Sequence, residues 1–162
     1  MSQRIIFSGN ALTAIDAKGR ITVPAEFRKL LETGCGDDNK FCLTLPDEAA
    51  YITCLTFDRR DALQDQIERE EEAALIAGRE YDRDTRERNA FGSMIFLPFD
   101  GSGRIVMPVR FREEAKIEDS VFFYGRGATF EIWNPRIFIE TPGLKERDKR
   151  SAVSLMAQKG AP

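Results

Sequence analysis

Asp16-Ala-Lys-Gly-Arg-Ile-Thr-Val-Pro-Ala-Glu-Phe-Arg28 returns later in the chain as Asp100-Gly-Ser-Gly-Arg-Ile-Val-Met-Pro-Val-Arg-Phe-Arg112. Seven of the thirteen positions are identical and in register: Asp, Gly, Arg, Ile, Pro, Phe and the closing Arg. The offset of 84 residues is about half of the 162-residue chain. It is longer than the ~20–50-residue period of a stacked repeat array, so it reads as one structural unit duplicated and fused. Each unit is small for a core of its own, which predicts that the two halves pack on each other.

Within each copy the residues specify a turn, a strand and a short helix. Asp16 and Asp100 suit the first position of a turn, where the carboxylate accepts from backbone amides, and Gly19 and Gly103 suit the fourth. Arg20-Ile-Thr-Val and Arg104-Ile-Val-Met then alternate as half-buried strands. Pro24 and Pro108 end the strands and open helices with Phe27, Leu30 and Leu31 on an apolar face in the first copy. Further strands are expected at Phe41–Leu45, Tyr51–Phe57, Ser120–Tyr124 and Thr129–Trp133, the last two around Gly125-Arg-Gly127. Asn134-Pro135 should cap a helix that stops near Pro142. Residues 58–88 have helical composition, with Asp58 as N-cap, Leu63, Ile67 and Leu75 as an inward stripe, Gly78 as a break and Glu68–Glu72 as a solvated face. The reading divides the chain into a first unit (1–57), a helical connector (58–88), a second unit (89–134), a C-terminal helix (135–150) and a mobile tail (151–162).

Composition excludes more than it assigns. The chain holds no histidine, the commonest general base and metal ligand. Cys35, Cys42 and Cys54 are odd in number and lack CxxC spacing, so reduced, partly buried thiols are expected rather than a disulfide framework or zinc site. Gly34-x-Gly36 and Gly125-x-Gly127 do not extend to a phosphate-binding loop, and Trp133 with Phe130 and Ile132 reads as core. An enzyme, a cofactor and a metal are therefore not expected, and no apolar run approaches the ~20 residues of a membrane span. A cytoplasmic protein is expected. Net charge is −3, yet the charge is segregated. Residues 1–30 carry five cations against two anions, whereas residues 47–88 carry thirteen acidic residues against seven arginines.

A turn requires neither Lys18 nor Arg20. Lys18 sits at the tip, and Arg20 begins the outward register of its strand, so both cations share one exposed edge that Arg28 could extend. Arg20 also has a purely structural reading, bonding Asp16 to tie down the turn. The second copy keeps the arginine as Arg104 but has Ser102 in the lysine position, making the first unit the more basic.

The doubled Asp-x-x-Gly-Arg-Ile-x-x-Pro, with Phe27-Arg28 and Phe111-Arg112, resembles the MraZ family of bacterial transcriptional regulators. That family lies within the wider AbrB-like swapped-hairpin barrel group. Phe91-Gly92 and the run Tyr124-Gly-Arg-Gly-Ala-Thr-Phe-Glu-Ile-Trp133 carry the resemblance further, over about Phe7 to Glu140. The chain departs from the family at Phe7-Ser8-Gly9, where Ser8 replaces a common arginine and removes one phosphate contact. The resemblance implies an α+β fold of two tandem swapped-hairpin β-barrel repeats, related by pseudo-two-fold duplication and flanked by helices. It implies a nucleoid-associated regulator, as a repressor, that binds double-stranded DNA at direct repeats upstream of the division and cell-wall gene cluster. Binding would be as a ring-shaped homo-oligomer. Carried over by position, the DNA contacts fall on Lys18 and Arg20, more weakly on Arg28, and secondarily on Arg104. The competing expectation is an antitoxin-like protein-interaction module that works through the acidic helices.

Overall fold

The computed structural model describes residues 4–159, and its fold follows the duplication closely. The first unit contributes β1 (Asn10–Ala14), β2 (Arg20–Thr22), α1 (Ala25–Gly34), a 3-10 turn (Gly36–Asp38), β3 (Lys40–Thr44) and β4 (Tyr51–Leu55). Two helices follow, α2 (Phe57–Ile76) and α3 (Arg83–Phe91). The second unit repeats the order with β5 (Ile95–Pro98), β6 (Arg104–Val106), α4 (Val109–Glu114), β7 (Ser120–Arg126) and β8 (Thr129–Trp133), before α5 (Pro135–Glu140) and α6 (Glu146–Gln158).

The strands do not form two separate sheets. Six of them make one antiparallel sheet in the order β1-β7-β8-β4-β3-β5, and β2 pairs with β6 as a two-stranded ribbon. The first strand of each unit is thus bonded to the hairpin of the other: Leu12 faces Phe122, and Phe41 faces Leu97. The exchange is symmetric, with β8 against β4 at the centre of the sheet. The result is a mixed α+β fold with an antiparallel sheet and no closed barrel among the described residues.

The main core lies between the sheet and the ribbon. Ile21 and Ile105, the inward residues of β2 and β6, pack there with Phe27 and Phe111 from α1 and α4. Phe130 is the hub, with ring centroids 4.9 Å from both Phe7 and Phe27. Each of these side chains is at least 97% buried, the range in which removing an aromatic ring costs about 3–5 kcal/mol. Cys35, Cys42 and Cys54 are free, buried thiols, Cys35 and Cys54 within this core, and burial pushes the Cys35 and Cys42 thiols up to about 11.

A second core covers the opposite face of the β1-β7-β8 region. Leu12, Phe122 and Trp133 meet Phe138 of α5 and Ala152 and Met156 of α6. Trp133 is core, as its alternation implied, and stacks on Tyr51 at 4.6 Å. Here the structure departs from the expected mobile tail: residues 151–158 belong to α6, while 160–162 lie outside the described residues. Two bonds fasten the helix to the sheet. Tyr124 donates its hydroxyl to the Asp148 carboxylate, and Ser151 Oγ donates to Asn10 Oδ1 at 3.0 Å. Burial, then the bond to Asp148, pushes the Tyr124 phenol up to about 12.

The connector is helical with three corrections. Thr56, not Asp58, is the N-cap, its hydroxyl accepting from Arg59 N at 3.1 Å. Ile67 and Ala74 face inward, whereas Leu75 is 72% exposed. Gly78, at φ +68°, ends α2 in a conformation that a side chain disfavours. The Glu68–Glu72 run is not a free solvated face. Glu70 accepts from Arg86 Nε at 3.0 Å and from Tyr81 at 2.9 Å, and Arg83 of α3 pairs with Glu68 and Glu71. The Arg86 bond comes first among the causes that hold the Glu70 carboxyl below its ordinary range. Among the described residues no helix is long and apolar enough to cross a membrane.

Candidate nucleic-acid interface

Each copied motif folds into the same carboxylate-centred turn. Asp16 Oδ1 accepts from the backbone amides of Lys18 and Arg20, both at 2.9 Å, and Oδ2 accepts from Arg20 Nε at 2.6 Å. Asp100 repeats this with Ser102 N at 2.9 Å, Arg104 N at 3.0 Å and Arg104 Nε at 2.6 Å. Gly19 N and Gly103 N close the turns onto the carbonyls of Asp16 and Asp100, at 3.0 and 2.9 Å. These donors, the Arg20 amide first, hold the Asp16 carboxyl below its ordinary value, and the Arg104 amide leads in the same way at Asp100.

The glycines are dictated twice over. Both have φ +83°, a region that costs an L-residue about 1–2 kcal/mol. A Cβ on Gly19 would also stand 2.7 Å from the Met107 carbonyl oxygen, and one on Gly103 would stand 2.9 Å from that of Val23. The turns are therefore pressed against each other's strands. Met107 N donates to Gly19 O and Val23 N donates to Gly103 O, each at 2.8 Å, lengthening the β2-β6 ribbon at both ends.

This pairing decides where the arginines lie. In the β2-β6 register Arg20 faces Val106 and Thr22 faces Arg104, so these four share one side of the ribbon. That side is exposed, while Ile21 and Ile105 fill the other. Arg20 and Arg104 occupy diagonal corners, with side chains 64% and 71% exposed. Both readings of Arg20 hold at once. Its Nε ties down Asp16, and among the described residues its terminal nitrogens have no protein partner. Lys18 is exposed at the tip of the first turn.

Arg28 stands apart. Its Nη1 donates to the Gly101 carbonyl at 2.9 Å, its Nε lies 3.6 Å from Glu32, and its side chain is only 23% exposed. It braces the second unit's turn instead of extending the outer face. Arg112 does the reciprocal work, donating from Nη1 to the Ala17 carbonyl at 3.2 Å. Sequence reading missed Arg112; the one available signal was its identity with Arg28 at the end of the repeat. Among the described residues no group of acidic or cysteine side chains is placed to hold a metal ion.

Comparison with known proteins finds relatives over most of the chain. The family described as "MraZ protein, putative antitoxin-like" matches residues 91–141. A protein of Ruegeria pomeroyi named transcriptional regulator MraZ is 30% identical over 138 residues, covering 82% of this chain and 79% of its own length. Proteins with the same name from Rickettsia bellii and Pelagibacter ubique are 34% and 32% identical over 124 residues, each across 76% of this chain and across 77% and 75% of their own lengths. With identities of this level over most of both chains, this chain belongs to the MraZ family.

Proposed function

We propose that this chain is a cytoplasmic, sequence-specific DNA-binding transcriptional regulator that reads DNA through the outer face of the β2-β6 ribbon. The observation that carries the reading is the pair of exposed arginines on one side of the ribbon, each with Nε clamped by an aspartate and its terminal nitrogens left without a protein hydrogen bond among the described residues. A guanidinium held at one end presents the remaining donors with less rotamer entropy to lose on binding. Those donors match O6 and N7 of guanine in the major groove, which admits a two-stranded ribbon. Lys18 at the tip suits a phosphate, and Arg104 adds a second, weaker contact. Arg28 enters as a brace, given its bond to Gly101. The acidic connector would keep the opposite side of the molecule away from the duplex.

The relatives' name, transcriptional regulator, supports the same reading. One ribbon offers few cations, so one copy binds weakly. Assembly into a ring would hold several ribbons at fixed spacing and raise avidity on direct repeats. Repression from repeats upstream of the division and cell-wall gene cluster is the form of regulation that we assign. The interleaved strands favour describing each half as a swapped-hairpin unit. The test is anisotropy of a labelled duplex from upstream of this chain's own gene against a shuffled duplex, across a salt series. Affinity for the native duplex should be higher, and its logarithm should fall with log salt by about 0.9 per phosphate contacted. Equal, weak binding to both duplexes would contradict the reading.

A second reading, a protein-interaction module, draws on the antitoxin-like description of the matched family. It also draws on exposed Leu75 and Ile76 at the end of α2. Its acidic surface is largely occupied by the arginines of α3. A DNA-free pull-down recovering one partner at constant stoichiometry would favour it.

A further inference from the structure

We propose that Arg112, on α4 of the second unit, is a positioning residue for the DNA contacts of the first unit's turn, a proposal that rests on the DNA reading above. Lys18 lies between Ala17 and Gly19, and both flanking carbonyls are held from the other half of the chain. Arg112 Nη1 donates to Ala17 O at 3.2 Å, and Met107 N donates to Gly19 O at 2.8 Å. The stem of Arg112 also lies against the turn, with Cδ 3.6 Å from the point that a Gly19 Cβ would occupy. Asp16 fixes the turn from within, but its bonds stay between residues 16 and 20. The orientation of that whole turn relative to the ribbon is set by the bonds arriving from Arg112 and Met107.

The duplication supplies an internal control. Arg28 makes the mirror contact, donating to Gly101 O at 2.9 Å with its Cδ 3.4 Å from the Cβ position of Gly103. The bond to the turn carbonyl is thus alike at both braces, with Arg28 adding an ion pair to Glu32, yet the braced turns differ. Arg112 holds the turn that carries Lys18 and Arg20, whereas Arg28 holds the one that carries Ser102 and Arg104. A merely structural role would make each loss of affinity follow the loss of stability. A positioning role makes Arg112 the more important of the two for DNA affinity even though Arg28 has the more partners. Loss of the Arg112 bond leaves the turn to be ordered at the moment of binding, which weakens affinity without removing a phosphate contact.

The experiment measures anisotropy with the upstream duplex over a salt series, together with melting temperatures, for Arg112→Met, Arg28→Met and Lys18→Ala. Methionine keeps an unbranched stem on the glycine and removes the donors. Both methionine variants should lower the melting temperature, Arg28→Met at least as much as Arg112→Met because it also loses the pair with Glu32. Arg112→Met should weaken binding about five- to tenfold, the worth of one well-placed hydrogen bond, with the salt slope unchanged. Arg28→Met should weaken it about threefold less. Lys18→Ala should reduce the slope by about one. The proposal is overturned if Arg28→Met loses as much affinity as Arg112→Met, if Arg112→Met binds like wild type, or if its slope drops by about one, which would make Arg112 a phosphate contact. Wild-type binding by Lys18→Ala would instead refute the first turn as the interface. Should Arg112→Met fail to fold, Arg112→Gln decides: shortened and uncharged, it should still weaken binding with a full salt slope, and wild-type affinity would overturn the proposal.

Discussion

Arg20 serves two ends with one side chain: its Nε holds the Asp16 carboxylate at 2.6 Å while the side chain stays largely exposed. Asp16 and Asp100 therefore couple the turns to pH. Both carboxyls are held below the ordinary value of 3.8, so the unfolded chain takes up their protons first. The stability that they contribute is fully present above that value and is lost as pH falls through their lower folded values. Melting temperature should fall on acidification below about pH 4, and the fall should be shallower in the Asp16→Asn/Asp100→Asn double variant. An unchanged acid limb in that variant would show that the turns do not sense pH. The turn residues were legible in sequence because each contact spans four residues or fewer. The braces were not, because Arg28 and Arg112 reach carbonyls 73 and 95 positions away.

At the scale of elements, legibility followed the strength of the local pattern. The copied strand-turn-helix units, the β7-β8 hairpin and the Asn134-Pro135 cap are where their residues placed them. Helix α6 is different. Its fully inward residues are Ala152 and Met156, four apart, too sparse an apolar stripe to announce a helix. What buries them is Leu12, Phe122 and Trp133, brought together by β1, β7 and β8 from distant parts of the chain. Leu75 failed on phase: eight residues on from Ile67 it lies about 80° round the helix, whereas Ala74, seven on, lies within about 20° and is buried. Met156→Ala should cost about 2–4 kcal/mol, read from urea unfolding followed by circular dichroism. A loss under about 0.5 kcal/mol would show that α6 is not part of the cooperative core.

For the molecule as a whole, the duplication matters because the halves are not independent. Each unit's first strand completes the other's hairpin, and the ribbon takes one strand from each. That exchange brings Arg20 and Arg104, 84 residues apart in sequence, to one exposed side. It also separates charge: the turns present cations, while the acids of α2 are drawn into pairs with α3. The central claim is that this ribbon face reads DNA. The most direct test compares wild type with Arg20→Ala on the native upstream duplex and on its shuffled counterpart, with melting temperatures alongside. The account predicts that Arg20→Ala retains a cooperative melting transition and loses about 1–3 kcal/mol of preference for the native duplex. A variant that keeps the full preference, or that loses its melting transition and with it all binding, would contradict the account.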